Sequence, residues 1–396
     1  MFSFVFLFYR GCWDLNEIEE ISFVIGTAFD PASEMDRDEY RKETGRQLPK
    51  GMFKMTNQVV IPGEIESGGE GGSSNEGPFF NISSMGMTSF KTNRNFTTRR
   101  SRPMNYEHLK IIIINEELAR EGIMDHLLDF FARDHEMRRD MLVLISEGQG
   151  YDILEKKLPL EMMPAMSIEM ISENAPRGHG IPQEKYIGEL ITDVLSGQSY
   201  IVPRIVDKEG DDFKVAGAAI FLGSNNKMIG LLGEYDIQGY GWVTGEMENE
   251  ALEAYYGENE IPFVYENDFT QVNVDYSHIE GRDVFNLEIR SEGFFVDNWI
   301  DHIDLDSVET LQKLEQEIGR EIERQATKII KKMQTEFYAD IFKLHEEVRI
   351  NDFSHWQQVK ENWDGKDGAF SKAEINIETQ VEIRHYMTNE ELEERR

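Results

Sequence analysis

Ile111-Ile112-Ile113-Ile114 places four β-branched residues in a row, none of which can be turned toward water. Successive strand side chains point to opposite faces, so such a run needs apolar cover on both sides. The neighbouring sequence supplies it. Asn115 can cap a short helix over Glu116 to Arg120, and Gly122 ends that helix. Ile123, Leu127, Leu128 and Phe131 then share one side of a second helix that runs to Arg133. Met141 to Ile145 is another buried strand. Strand, helix, strand in this order predicts a crossover packed on a sheet, an α/β unit.

Elements of the same kind lie on either side. Ser22 to Phe29 is a β-type run ending at Asp30-Pro31, and Phe53 to Ile61 reads as a strand. Gly63 to Gly77 holds six glycines in fifteen residues, a composition that buries nothing and predicts a flexible loop. Pro78 to Thr98 is polar, with helical stretches. Tyr151 to Lys157 begins a helix that Pro159 stops, and a turn-rich link over Ala175 to Pro182 precedes a helix from Gln183 to Ser196. Val215 to Leu222 and Lys227 to Leu232 form a hairpin across Gly223-Ser224-Asn225-Asn226.

The last third opens with strands around Phe263, over Val272 to Tyr276 and over Val284 to Arg290. A long helix follows, capped by Asp306 or Ser307. Leu311, Leu314, Ile318, Ile322, Ala326, Ile329 and Met333 step along one face of it, for about 25 residues or roughly 38 Å. Ala339 to Val348 is helical again, and Ser354 caps a short helix carrying Trp356, Val359 and Trp363, whose two tryptophans read as core with a ligand shelf as the alternative. At the end, Ile375, Ile377, Thr379, Val381 and Ile383 alternate with polar residues, which predicts a half-buried antiparallel strand. Ile318 and Ile322 are expected to pack on Ile377 or Val381. The expected class is α+β: elongated, with about three successive domains, mixed or antiparallel sheets with packed helices, and the long helix on an antiparallel sheet. The divisions are 1–12 for an N-terminal targeting remnant, 13–200 for an α/β domain, 201–260 for a β-rich middle and 261–390 for a C-terminal α+β domain.

Composition narrows the function. Asp and Glu outnumber Lys and Arg 75 to 41, a net charge of −34. Such a surface repels phosphate backbones, and no polybasic patch offers purchase on anionic lipid, so nucleic acid is excluded as a partner. Cys12 is the single cysteine, which removes intrachain disulfides and Cys-rich zinc sites. It follows the apolar run Met1 to Tyr9, too short to span a bilayer but consistent with the end of a secretory apolar region. Cys12 therefore reads as a lipid-attachment site; a core cysteine on a buried N-terminal strand is the alternative.

Nothing in the order of residues spells out a reaction. The nine histidines are scattered, none with an acidic or thiol partner at metal-ligand spacing, and His179 stands alone between glycines. Gly239-Tyr240-Gly241 with Gly245 resembles a dinucleotide loop only loosely, in a β-rich zone. Asp301, Asp304 and Asp306 alternate near a helix start, but Asp306 occupies the position where a calcium loop needs glycine. No catalytic, cofactor-binding or metal-binding residue is assigned. The residues point to a tethered, non-enzymatic, extracytoplasmic module.

Four stretches, in order, resemble the C subunit of the nutrient germinant receptors of spore-forming bacteria, the GerAC-type germination lipoproteins. They are Gly11-Cys12-Trp13-Asp14 with Glu17-Ile18; His108 to Ile113 continuing through Glu117 to Ile123 and Leu128 to Arg138; Gly217 to Phe221 with Lys227 to Leu232; and Ala339-Asp340-Ile341 with Trp356 and Trp363. The resemblance implies three successive domains and a diacylglyceryl group on Cys12, holding the protein on the outer face of the spore inner membrane. It implies A-type and B-type membrane subunits as partners, with no catalytic residue and no cofactor. A free-standing lipoprotein that binds a small solute for an uptake system is the alternative reading.

Overall fold

The computed structural model describes residues 21–46, 51–62, 78–133, 137–174, 180–300, 303–305 and 307–384. Cys12, His179, Asp301, Asp306 and the glycine-rich 63–77 lie outside them.

Strands β1 (Ser22–Pro31), β2 (Phe53–Val60), β3 (Phe79–Gly86), β4 (Met104–Asn105), β5 (Ile111–Asn115), β6 (Leu142–Ser146), β7 (Tyr200–Lys208), β8 (Asp212–Leu222) and β9 (Lys227–Leu232) make one sheet. Its order is β3-β2-β1-β5-β6-β7-β8-β9, with β4 beside β1. The centre, β1-β5-β6-β7, is parallel, and antiparallel strands flank it on both sides. Helices α1 (Glu34–Thr44), α2 (Ser89–Phe96), α3 (Glu116–Glu121), α4 (Met124–Arg133), α5 (Gly150–Leu154), α6 (Pro164–Ser172) and α7 (Ile187–Ser196) occupy the connections. The isoleucine run is covered as expected. Ile112 and Ile114 enter a core shared with α3, α4 and α7, while Ile111 and Ile113 enter the opposite core beneath α5 and α6.

Helix α8 (Glu234–Thr244) leads to the second sheet, formed by β10 (Ala251–Tyr256), β11 (Ile261–Ile279), β12 (Arg282–Asn298) and β13 (Glu374–Ile383) in that order. Between β12 and β13 come α9 (Val308–Lys332), a π-helical turn over Met333–Phe337, then α10 (His345–Asn351), α11 (Phe353–Val359) and α12 (Ala369–Lys372). The long helix lies across the sheet. Leu314, Ile318, Ile322, Ala326 and Ile329 are fully buried in the core that also holds Ile377 and Val381.

Several local expectations need correcting. The last strand runs parallel to β12, Val284 opposite Glu374 through Gly293 opposite Ile383, because the chain returns to the sheet by a helical crossover. Phe79–Gly86 is an edge strand, its Ser83 hydroxyl 2.8 Å from that of Thr56. The strands foreseen near 263 and 272–276 are one strand, β11, with two irregularities in its pairing to β12. Asp352, not Ser354, caps α11, accepting from the His355 amide. Residues 339–344 are not helical; α10 starts at His345. The Gly239-Gly241 segment sits inside α8, where a Cβ on Gly239 would come 2.7 Å from the Gln325 carbonyl oxygen. That glycine lets two helices cross closely; it is not part of a nucleotide loop.

The segment 201–260 divides its strands between the sheets, and β8 is the bridge. Phe213 and Val215 face the core under α5 and α6, Ala219 and Phe221 face the core under α4 and α7, and Ala218 and Ile220 enter the core of the second sheet. Strict alternation would leave 215 and 219 on one face. The change of phase occurs at Gly217, which has φ +73° beside a break in the β7–β8 register between Pro203 and Ile205.

Two substitutions test this packing by urea denaturation. Gly217→Ala puts a Cβ 2.3 Å from the Leu232 carbonyl oxygen and is expected to cost at least about 2 kcal/mol. Gly210→Ala, with φ +78° but open space, is the control and should cost less; equal losses would mean that the close approach in β8 is unimportant. Separately, Ile322→Ala is expected to cost about 2–5 kcal/mol, whereas a loss below about 1 kcal/mol would contradict a buried helix face.

Candidate functional site

Ligands of open parallel sheets bind outside the carboxyl ends of the strands, near helix N-termini. Here that position is filled by the chain itself. Asp30 ends β1 and accepts from the amides of Gly150 (2.6 Å) and Tyr151 (3.0 Å) at the start of α5. Asn115 ends β5; its Nδ2 donates to the Gly148 carbonyl (2.9 Å) and its Oδ1 accepts from the Glu117 amide (2.8 Å). The Ser146 hydroxyl at the end of β6 donates to the same Gly148 carbonyl (2.8 Å). A carboxylate thus takes the place where a bound phosphate would receive those amides. Burial pushes the Asp30 carboxyl up to about 6, against the lowering effect of the two amides and Lys54.

A second polar centre lies where the C-terminal helices meet the first sheet. Asp340 is 1 % exposed and accepts at both oxygens. Oδ1 takes the amides of Phe342 (3.1 Å) and Leu344 (3.2 Å), and Oδ2 takes the His345 amide (2.9 Å) and the Trp363 indole N–H (2.9 Å). These bonds hold the non-helical 339–344, in which Lys343 (φ 62°) adopts left-handed backbone, as does Tyr338 (φ 53°) just before it. Trp356 stacks on His345 and meets Trp363 edge-on at 5.8 Å. The Asp340 amide donates to Asp364 (2.8 Å), whose other oxygen accepts from the Ser199 hydroxyl (2.7 Å), just before β7. Burial raises the Asp364 carboxyl, with Ser199 and the Asp340 amide opposing it. Asp340 and Asp364 therefore clasp the two sheets together.

Beside the clasp is an open cleft of about 350 Å³ lined by Lys185, Asp193, Tyr200, Tyr240, Glu246 and Lys343, among others. Asp193 pairs with Lys185 at 2.8 Å and with Lys343 at 3.7 Å, one cation from each side of the seam. Burial raises both the Tyr240 hydroxyl and the Glu246 carboxyl. The cationic groups of this cleft face carboxylates of the same chain. The arrangement is a charge-paired seam.

One grouping escaped the sequence. His278 near the end of β11, Asp283 at the start of β12 and His355 on α11 converge, with His278 Nδ1 at 3.0 Å and His355 Nε2 at 2.9 Å from Asp283 Oδ1. His278 and Asp283 flank a hairpin turn, but His355 lies 72 positions further on, so no spacing rule could join it to them. The sequence-assigned lipid site, Cys12, lies outside the described residues.

Known proteins place these features in context. Residues 14–206 match the family described as "Spore germination protein N-terminal domain", and residues 216–387 match "Spore germination B3/ GerAC like, C-terminal". Similar proteins from Bacillus subtilis (strain 168) include spore germination protein YndF, 29 % identical over 384 residues, which are 96 % of this chain and 93 % of that protein. Spore germination protein B3 is 25 % identical over 389 residues, covering 97 % and 96 %. Spore germination protein A3 is 25 % identical over 388, covering 96 % and 95 %. The crystal structure of the GerBC protein superposes with a TM-score of 0.60 at 22 % identity, covering 84 % of this chain and 94 % of that one, and so shares the fold.

Asp30 offers a test by pH. Its folded-state value, about 6, lies above the ordinary 3.8, so between these limits the folded protein holds the extra proton. The associated stability is fully present below about pH 4 and is lost as pH rises through about 6. The displacement from 3.8 to about 6 corresponds to about 3 kcal/mol. The stability difference between Asp30→Asn and wild type should therefore shift in favour of the variant by up to that amount from about pH 4 to about pH 7. A pH-independent difference in urea denaturation would overturn the assignment.

Proposed function

Because the chain belongs to the GerAC-like family of spore germination proteins, the C subunits of germinant receptors, we propose that it is a lipoprotein subunit of such a receptor. In this reading it acts in nutrient-triggered germination by contact with A-type and B-type membrane subunits, and it catalyses no reaction. A diacylglyceryl group on Cys12 anchors it to the outer face of the spore inner membrane. No helix among the described residues is long and apolar enough to cross a membrane, so in this proposal attachment falls to the lipid.

The observation that carries the reading is the match of both family regions, in order, from residue 14 to residue 387. The internal chemistry agrees with it. The strand ends are closed by Asp30, Asn115 and Ser146, and Asp340 spends its acceptors on the chain's own amides and indole. Buried polar groups used in this way specify an arrangement and leave the surface to meet partners.

Affinity isolation of the tagged full chain from detergent-solubilised spore membranes is expected to bring A-type and B-type membrane subunits with it; recovery of the chain alone would refute the proposal. The anchor has its own test. Two acyl chains hold a protein stably whereas one does so marginally, so Cys12→Ala should move the protein from the membrane to the soluble fraction. Unchanged membrane retention, with no lipid label on wild type, would remove Cys12 from the model of attachment.

A further inference from the structure

His278, Asp283 and His355 come from three elements and present one ligand atom each within 4.8 Å of one another. Asp283 is buried, and its Oδ1 also accepts from the Tyr276 hydroxyl at 2.8 Å. The two imidazole rings lie 4.2 Å apart between centroids, tilted by 43°. His355 Nε2 is the informative atom. It is buried and lies 2.9 Å from Asp283 Oδ1, yet no hydrogen bond satisfies it. Buried polar atoms are normally satisfied, and an orphan nitrogen facing two other ligand atoms calls for an occupant. We propose that these three side chains form a binding site for a divalent transition-metal ion of the zinc class, with water completing a four-coordinate shell.

The donor set selects the ion. Two imidazole nitrogens and one carboxylate suit zinc and its neighbours, whereas calcium and magnesium take oxygen shells. Metal–ligand bonds of about 2.0–2.1 Å in a tetrahedron put ligand atoms about 3.3 Å apart. The separations of 3.0 and 2.9 Å from the carboxylate oxygen are within a few tenths of that. Tyr276 supplies the outer hydrogen bond that orients a ligating carboxylate. His278 is partly exposed, which leaves a route for the ion and room for water.

The site has a structural consequence. His278 and Asp283 flank the turn at Glu280 (φ 51°) and Gly281 (φ 81°), the tip of the long β11–β12 hairpin. His355 is on α11, next to the buried Trp356 that packs on His345 and Trp363. A bound ion would tie the hairpin tip to the helix that supports the Asp340 clasp. It does so without reference to the membrane partners, so the test is independent of the receptor reading.

The purified full chain in detergent, stripped with a chelator, is titrated with zinc chloride by calorimetry and thermal unfolding, and with cobalt chloride by visible spectroscopy. A chain with 75 acidic residues also binds cations weakly and diffusely at its surface, so the readout is the difference between wild type and variants. Wild type should bind one zinc ion in a site that millimolar magnesium does not occupy, unfold at a higher temperature with zinc, and show cobalt ligand-field bands of low-coordinate nitrogen and oxygen ligation. His278→Gln and His355→Gln should each weaken that site at least tenfold and abolish the cobalt bands. His278 is at the hairpin tip, so His278→Gln decides the matter if His355→Gln fails to fold. Absence of a one-to-one site in wild type, or equal binding by His278→Gln, overturns the proposal.

Discussion

The architecture depends on a change of phase in one strand. Up to Val215, β8 serves the core beneath α5 and α6; after Gly217 its two faces serve the core under α4 and α7 and the core of the second sheet. A strand of period two cannot feed three cores unless its register slips by one residue, and the slip needs backbone that glycine adopts freely. Gly217 meets that need at φ +73°, against the Leu232 carbonyl, where no side chain fits. Its neighbours Ala218 and Ala219 are small and wholly buried, so the sheet and the C-terminal core approach closely on both sides.

The second constraint is the Asp340 clasp. A buried carboxylate is costly unless every lone pair is used. Asp340 meets this condition by gathering the amides of Phe342, Leu344 and His345 and the indole of Trp363. Asp364 extends the same logic to Ser199 across the seam. Residues that resemble a family motif in sequence thus prove to be architectural: Trp356 and Trp363 roof the clasp, and the Gly217 stretch sets the phase of the bridge. The resemblance to the germination family thus rests, at these positions, on parts that build the fold.

Local pattern and tertiary packing part company at several places, for physical reasons. Phe79–Gly86 lacks an apolar pattern because an edge strand need bury little, and its polar residues find partners on neighbouring elements, Ser83 at the Thr56 hydroxyl and Asn81 at the Leu154 carbonyl. Alternation in β13 announced a strand with one face on the core, but alternation carries no information on direction; the crossover through α9 made it parallel. Gly239 and Gly241 belong to helix α8 and not to a β-rich zone, although glycine is a poor helix former, because close packing of Gly239 against Gln325 overrides that propensity. Ser354 was a plausible cap, but Asp352 is the side chain placed to reach the His355 amide.

What the sequence determined by itself was the set of elements whose burial pattern has a single solution. The isoleucine run required cover on two faces, Asn115 and Gly122 bounded the helix after it, and the stripe from Leu311 to Met333 required one apolar surface about as long as itself. Tertiary structure alone decided which distant side chains meet. Asp30 reaches Gly150 across 120 positions, Ser199 reaches Asp364 across 165, and His355 joins His278 and Asp283 only because α11 lies over the β11–β12 hairpin. Periodicity is a property of neighbours along the chain. A site is a property of neighbours in space, and nothing in local spacing records which elements the cores will bring together.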